Sequence, residues 1–263
     1  MAEPRNIRVE AVVLSHREMG EADRLLVLYT REHGKLRAIA KGVRKINSRK
    51  AGHVEPFSRV TLMLARGRSL WIVTQAELIE AYLPIQHDLT KMAFASYVIE
   101  LIDRFSYEEG VNLPLYRLLY RTLERIAAAE HIEMPVRYFD MRLLDIMGFR
   151  PELSQCVSCG KKILPEDQFF SPLNGGVQCP GCGKDAASNR FVPMPVLKYM
   201  RHFQRSNYKE AMRAPYVAEI LAEMEKVIHY YYLFLLERRL NTPGFIHHIQ
   251  DEAIRQQNSE KDD

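Results

Sequence analysis

The sequence predicts an α+β protein: a small five-stranded barrel at the amino end, then a helical bundle interrupted by a four-cysteine metal-binding segment. Three observations carry this. Residues 7–80 hold short runs of alternating apolar and polar residues separated by glycine-containing turns. From residue 88 the apolar residues recur at the helical period. All four cysteines of the 263-residue chain stand as two pairs, Cys156 with Cys159 and Cys179 with Cys182.

The strands come first. Ile7–Leu14 is apolar with alternation at its start, and Leu25–Tyr29 is a short apolar run. Lys35–Lys41 alternates cleanly, with Leu36, Ala38 and Ala40 on one face and Lys35, Arg37, Ile39 and Lys41 on the other. Val60, Leu62 and Leu64 alternate again. Arg66-Gly67-Arg68-Ser69 makes a turn, and Leu70–Glu80 resumes around Trp71, Ile72 and Val73. Five short strands broken by Gly20, Gly34, Gly42, Gly52 and Gly67 suit a small closed barrel, of which the OB-fold is the commonest with that strand count. Another five-stranded barrel would give the same string.

Charge is concentrated on this region. The whole chain carries +4, yet residues 1–80 carry +6, and residues 31–68 hold eleven basic residues against Glu32 and Glu55. A basic cluster on a nearly neutral chain points to a polyanion partner. Residues 41–50 contain Lys41, Arg44, Lys45, Arg49 and Lys50 and no acid, while Gly42, Asn47, Ser48 and Gly52 make the stretch a loop. A flexible cationic loop above the Lys35 and Arg37 face, with Arg66 and Arg68 in the next turn, is a phosphate-tracking groove. If about five cations neutralise phosphates, log K falls against log salt with a slope near −3.5 on single strands. Tyr29, Phe57 and Trp71 are candidates for base stacking, with burial in the barrel core as the weightier reading for each. No helix presents a basic face for reading sequence.

The helices follow. Asp88 caps a helix to about Phe105, with Leu89, Met92, Ala95, Ile99 and Ile102 on its buried side. Pro114 suits the first turn of the next helix, followed by Leu115, Leu118, Leu119, Thr122 and Ile126. A third starts near Pro135 and ends at Gly148, before Pro151. Pro195 opens a helix through His202, and the longest pattern runs from Val217 to Leu235. Gln250–Asp263 is polar and is expected to fray. The expected division is therefore 1–82 as an OB-fold that binds nucleic acid, 83–150 and 191–248 as one helical bundle, 151–190 as a zinc-finger insert, and 249–263 as a flexible tail.

A two-residue gap lets both sulfurs of a CxxC pair turn toward one point, and two such knuckles supply the tetrahedral thiolate set that zinc prefers. Gly160 and Gly183 follow the pairs, and Gly181 sits inside the second. Two disulfides would need an oxidising compartment. A redox site would use one CxxC at a helix start. The expectation is one structural Zn2+ held by Cys156, Cys159, Cys179 and Cys182. Four thiolates leave no position for water, so the metal braces structure and does no hydrolysis.

No apolar leader precedes the first strand, and no run reaches the roughly 18 residues of a membrane span. Cytosol is the expected compartment. The nucleotide-binding GxxxxGK[ST] and GxGxxG motifs are absent, as are HExxH and GxSxG. Gln178 stands where a nucleic-acid deaminase has proline before its cysteine pair. With a closed metal shell, these absences favour a binding protein over an enzyme.

Several stretches together carry a family likeness: Gly20-Glu21-Ala22-Asp23-Arg24-Leu25, Thr30-Arg31-Glu32-His33-Gly34-Lys35, Ala40-Lys41-Gly42-Val43-Arg44-Lys45 and Ser48-Arg49. Leu143–Pro151 running into Cys156-Val157-Ser158-Cys159-Gly160 adds to them, as does Leu235-Leu236-Glu237-Arg238-Arg239-Leu240, which is similar to the family's last helix. Over about residues 5–248 the chain resembles RecO, the bacterial recombination mediator. Val43 departs from the pattern, since many relatives carry a small residue there, and some relatives lack the cysteines. The resemblance implies an OB-fold, a helical bundle and a zinc finger. It also implies binding of single- and double-stranded DNA, annealing of complementary strands, and work with RecR and single-stranded-DNA-binding protein to load RecA, in a cytoplasmic, nucleoid-associated setting. The tail of single-stranded-DNA-binding protein is acidic with a hydrophobic end, so its site should be an apolar pocket with basic rims. Arg104, Arg117, Arg121 and Arg125 are helix-borne candidates for it. The rival readings are a zinc-ribbon RNA-binding or transcription-associated protein, an enzyme acting on DNA, and a scaffold whose basic loop meets an acidic protein.

Overall fold

A computed structural model describes residues 5–48, 50–108, 110–237 and 240–259. Contacts divide the chain into two units, residues 1–128 with 242–263 and residues 129–241.

The first unit begins with β1 (Asn6–Met19), β2 (Asp23–Thr30), β3 (Gly34–Ala40), β4 (Arg59–Arg66) and β5 (Trp71–Glu80), closed in the order β1-β2-β3-β5-β4 with β4 returning to β1. This is the OB-fold barrel. Alternation fills it: Val9, Ala11 and Val13 from β1 meet Leu26 and Leu28, Leu36, Ala38 and Ala40, Leu62 and Leu64, all buried. β1 outruns the apolar stretch that marks it. Its polar end, Ser15–Met19, pairs with Asp23–Val27 across the hairpin, and a bulge between Val13 and Ser15 bends the strand there. Val43 and Val54, from the β3–β4 connection, add to the barrel core. The departure at Val43 thus gains a buried side chain. Tyr29 and Phe57 are core residues; Trp71 is only partly buried.

Helices α1 (Leu83–Gln86), α2 (Leu89–Phe105) and α3 (Leu113–Ala128) follow. Asp88 caps α2, its carboxylate accepting the Lys91 N–H at 2.9 Å. Asn112 does the same for α3 at Leu115, 3.0 Å. A polar knot ties α3 to the barrel. Glu10 on β1 accepts from Arg59 Nε at 2.7 Å and from the Tyr116 hydroxyl at 3.0 Å, and the Arg59 guanidinium lies 4.1 Å over the Tyr120 ring.

The second unit holds α4 (Glu133–Ile146), a three-stranded sheet of β6 (Gln168–Ser171), β7 (Gly176–Gln178) and β8 (Arg190–Val192) in the order β7-β6-β8, the short α5 (Pro180–Gly183), then α6 (Met194–Arg205), α7 (Tyr208–Ala211) and α8 (Ala218–Leu236). α4 ends as expected, with Gly148 at φ +80° and Phe149 N–H reaching Leu144 O at 2.8 Å. The Arg142 guanidinium reaches the last carbonyls of α6, Phe203 O and Gln204 O, at 2.8 Å.

Two expectations change. A helix, α9 (Thr242–Ser259), occupies the described part of the supposed flexible tail and packs on α2. Glu100 of α2 accepts from Thr242 N–H at 2.9 Å and from its hydroxyl at 2.7 Å, and Ile246 and Ile249 are buried. The capped start and the two apolar anchors lie at Thr242–Ile249, ahead of the polar stretch, and the helix runs on from them to Ser259. Of the Leu235–Leu240 stretch, Leu235 and Leu236 end α8 and α9 begins after it, while Arg238 and Arg239 lie outside the described residues. Nor do residues 83–150 and 191–248 form one bundle. α1, α2, α3 and α9 pack together in the barrel's unit, while α4, α6, α7 and α8 pack together in the other. Helical period marks each buried stripe but not the stripe it meets. No helix among the described residues is long and apolar enough to cross a membrane.

Candidate nucleic-acid interface and metal centre

β3 runs parallel to β5 at Ala38–Trp71 and Ile39–Ile72. That pairing brings the outward residues of β3 beside the β4–β5 turn, some thirty positions on. With Leu36 and Ala38 turned into the core, Lys35 and Arg37 meet Arg66, Arg68 and Trp71 around an open cleft of about 620 Å³, together with His33, Ser69 and Leu70. Its further lining, Glu108 and Val111, comes from the α2–α3 linker. A smaller hollow of about 250 Å³ lies on the β1–β2–β3 face, lined by His16, Arg17, Leu25, Val27 and Asp103, and shares Lys35 and Arg37. Strands 2 and 3 and the β4–β5 loop are the surfaces on which OB-folds take oligonucleotides.

The cations of the cleft differ in commitment. Lys35 Nζ lies 2.7 Å from Asp103 Oδ1 and donates to Asp103 O at 2.8 Å, with 13% of its side chain exposed. It anchors the C-terminal turn of α2. Arg37 Nε meets Glu108 Oε1 at 2.9 Å, an exposed pair of small energy. Arg66 and Arg68 are exposed at the cleft edge. Trp71 packs one side against the barrel core and lines the cleft as well. Gly34 lets the linker come close: it sits at φ +67°, and a Cβ there would lie 2.2 Å from Gly110 O.

The 41–50 connection is more firmly held than its composition suggests. Asp23 accepts the Gly42 N–H at 2.7 Å, and Ala22 O accepts the Arg44 N–H at 3.0 Å. The Gly20–Leu25 and Ala40–Lys45 stretches therefore meet, the first pinning the second. Arg44 also pairs with Glu18 at 3.2 Å, and Lys50 Nζ caps Val73 O at 3.2 Å. Lys41 and Lys45 are exposed, and Arg49 lies outside the described residues. The predicted phosphate contacts thus form two groups, one in the cleft and one on this connection. The sequence offered no sign of Glu108, Val111 or the Lys35–Asp103 pair. They join segments about 70 residues apart, beyond any local period.

The four cysteines do converge: their sulfurs all lie within 4.8 Å of one another, and Cys159 and Cys179 are 3.9 Å apart. Metal–sulfur bonds of about 2.3 Å in a tetrahedron place sulfurs about 3.8 Å apart, so the set fits one ion. Each pair is a tight knuckle. Gly160 N–H returns to Cys156 O, and the N–H groups of Cys182 and Gly183 return to Cys179 O, each at 2.9 Å. Gly160 takes φ +72°. Val157 N–H bonds Val177 O at 3.0 Å and fastens the first knuckle to β7. Burial by itself raises the Cys156 thiol, but the N–H groups of Cys159, Cys179 and Ser158 outweigh it and bring it down to about 6. The neighbouring sulfurs of Cys179 and Cys159 push Cys182 up to about 12. Packed thiols that cannot all ionise alone are what a divalent ion would neutralise together.

Of the arginines expected at a partner site, Arg104 pairs with Glu100 at 3.1 Å and Arg121 with Glu124 at 2.9 Å. Arg117 is exposed on α3, and Arg125 is half-buried in its last turn. In the second unit, Lys198, Tyr199 and His202 of α6 with Arg213 and Ala214 line a hollow of about 270 Å³, so that an aromatic ring and basic side chains share one lining.

Comparison with known proteins gives a consistent result. Residues 1–82 match a family model described as Recombination protein O N terminal, and residues 86–243 match Recombination protein O C terminal. A DNA repair protein RecO of Dehalococcoides mccartyi is 34% identical over 238 residues, covering 90% of this chain and 94% of that one. The DNA repair protein RecO of Desulforamulus reducens is 35% identical over 243 residues, 91% and 93% of the two chains. That of Desulforudis audaxviator reaches 43% over 176 residues, 66% and 70% of the two.

Proposed function

The chain belongs to the RecO family of DNA repair proteins, and on that premise we propose that it is a non-catalytic DNA-binding protein of recombinational repair. It holds single- and double-stranded DNA by its phosphates, anneals complementary strands without nucleotide, and works with RecR to load RecA onto strands coated by single-stranded-DNA-binding protein. The observation that carries the reading is the barrel cleft, where Arg37, Arg66 and Arg68 stand round Trp71. Cations without base-reading side chains suit a protein that must accept any sequence. Two strands held on such a surface repel each other less, so pairing proceeds on the free energy of the duplex alone. The zinc identity of the cysteine site rests on its all-thiolate donor set. There the four cysteines hold the metal and the metal fixes both knuckles.

For the tail of single-stranded-DNA-binding protein, the α6 hollow meets the expectation of an apolar pocket with basic rims better than Arg104 and Arg121, which are taken up by Glu100 and Glu124. The deciding experiment is strand annealing without nucleotide, on bare strands and on strands coated with single-stranded-DNA-binding protein. Annealing in both conditions supports the reading. Failure to anneal even bare strands sinks it, and RNA binding in its place favours the zinc-ribbon alternative.

A further inference from the structure

We propose that Tyr107, Glu108 and Val111 of the α2–α3 linker are part of the nucleic-acid site and make the barrel cleft selective for single strands, with bases stacked on Trp71 and Tyr107. This rests on the DNA-binding reading above and specifies how the cleft would be filled. Of the aromatics near the barrel face, Tyr29 and Phe57 are buried in the core, while Trp71 keeps surface in the cleft. Half-buried against the core, its ring is a fixed platform that needs no ordering when a base arrives. Tyr107 is 84% accessible and stands next in the chain to Glu108, which lines the cleft.

The linker is fastened in place. Lys35 ties down Asp103 at the end of α2, Glu108 bridges to Lys35 along the β3 backbone, and Gly34 allows Gly110 to sit against it. Phosphates then find Arg66 and Arg68 at the rim and draw Arg37 away from Glu108, a weak, solvent-exposed pair. A duplex keeps its bases stacked on one another and has none to offer the rings, so it meets only the cations.

Position 71 carries the chain's one tryptophan, so its fluorescence reports the cleft alone. The full-length protein is titrated with a fluorescein-labelled oligo-dT, whose anisotropy gives binding, and with a hairpin duplex of equal charge. The expected result is quenching of Trp71 at saturation by oligo-dT and not by the hairpin. Tyr107→Ala should weaken oligo-dT binding at least about fivefold with an unchanged salt slope, and Tyr107→Phe should restore it, since the ring and not the hydroxyl stacks. Saturation of oligo-dT with Trp71 fluorescence unchanged, or a Tyr107→Ala variant that binds like the parent, overturns the inference and leaves the cationic site standing. If oligo-dT does not bind at all at low salt, both readings fall.

Discussion

Stripping the metal from the cysteine site should unfold the segment around it and spare the barrel. The segment has few buried apolar residues: Leu153 and Ile163 lie outside its strands, Val177 and Val192 stand on strands of three residues, and Phe170, on one of four, packs against Tyr231 of α8. The four sulfurs lie within 4.8 Å of one another, a spacing that fits one ion and that, without it, keeps the four thiols from ionising together. Structural zinc contributes an apparent 10–16 kcal/mol in small peptides, as large as the roughly 5–15 kcal/mol that holds a whole domain. Its loss therefore exceeds what this small sheet can absorb. The barrel has a separate core, and its unit shares no cysteine with the site. The assay is hydrogen exchange read by peptide mass, before and after chelation under reducing conditions, with metal content measured in parallel. Freshly purified reduced protein should hold one zinc per chain. Chelation should strip protection from residues 152–192 and leave residues 6–80 unchanged. Protection of 152–192 that survives verified metal loss would refute the reasoning, as would a reduced sample with far less than one zinc per chain.

Glu10→Gln tests the knot between β1, β4 and α3. Burial by itself raises the Glu10 carboxyl, but the hydrogen bond from Arg59, then that from Tyr116, hold it below the usual carboxylate range. A carboxylate lowered on folding adds stability above its unfolded pKa, and that stability is lost as pH falls through the folded value. The variant should cost about 1.5–3 kcal/mol in urea unfolding at pH 7, and its deficit against the parent should shrink below about pH 4. An equal deficit at pH 7 and pH 3 would show that the charge is not what stabilises. Gly34→Ala places a Cβ 2.2 Å from Gly110 O at a left-handed backbone position, so it should lower the unfolding free energy read from urea titration by at least about 1 kcal/mol and weaken oligonucleotide binding by displacing the linker. Unchanged stability and binding would mean that the Gly34–Gly110 approach is dispensable.

What was legible in the sequence was local. Alternation at Lys35–Lys41 reports β3 faithfully, because one face of that strand is buried and the other is not. Asp88 and Gly148 mark helix ends because their roles are settled within a turn of chain. The cysteine site was legible for the same reason: two knuckles, each closed within five residues, carry the ligand geometry themselves. Contacts that depend on distant chain were not. Lys35 and Asp103 are 68 residues apart, and nothing in an alternating strand says that one of its outward lysines is already taken. Lys41 and Lys45 face solvent while Arg44, between them, pairs with Glu18, a difference set by the β1–β2 hairpin and not by the basic run itself. The α2–α3 linker had no periodicity to read, yet it supplies Glu108 and Val111 to the cleft.

The central claim is that barrel cations hold the nucleic acid by its phosphates, and the salt dependence of single-strand affinity tests it most directly. With Arg37, Arg66, Arg68, Lys41 and Lys45 each neutralising one phosphate, log K should fall against log salt with a slope of about −3.5, and Arg66→Gln with Arg68→Gln should reduce it by about 1.4. A slope near zero in the parent, or one that the double variant leaves unchanged, would contradict the account.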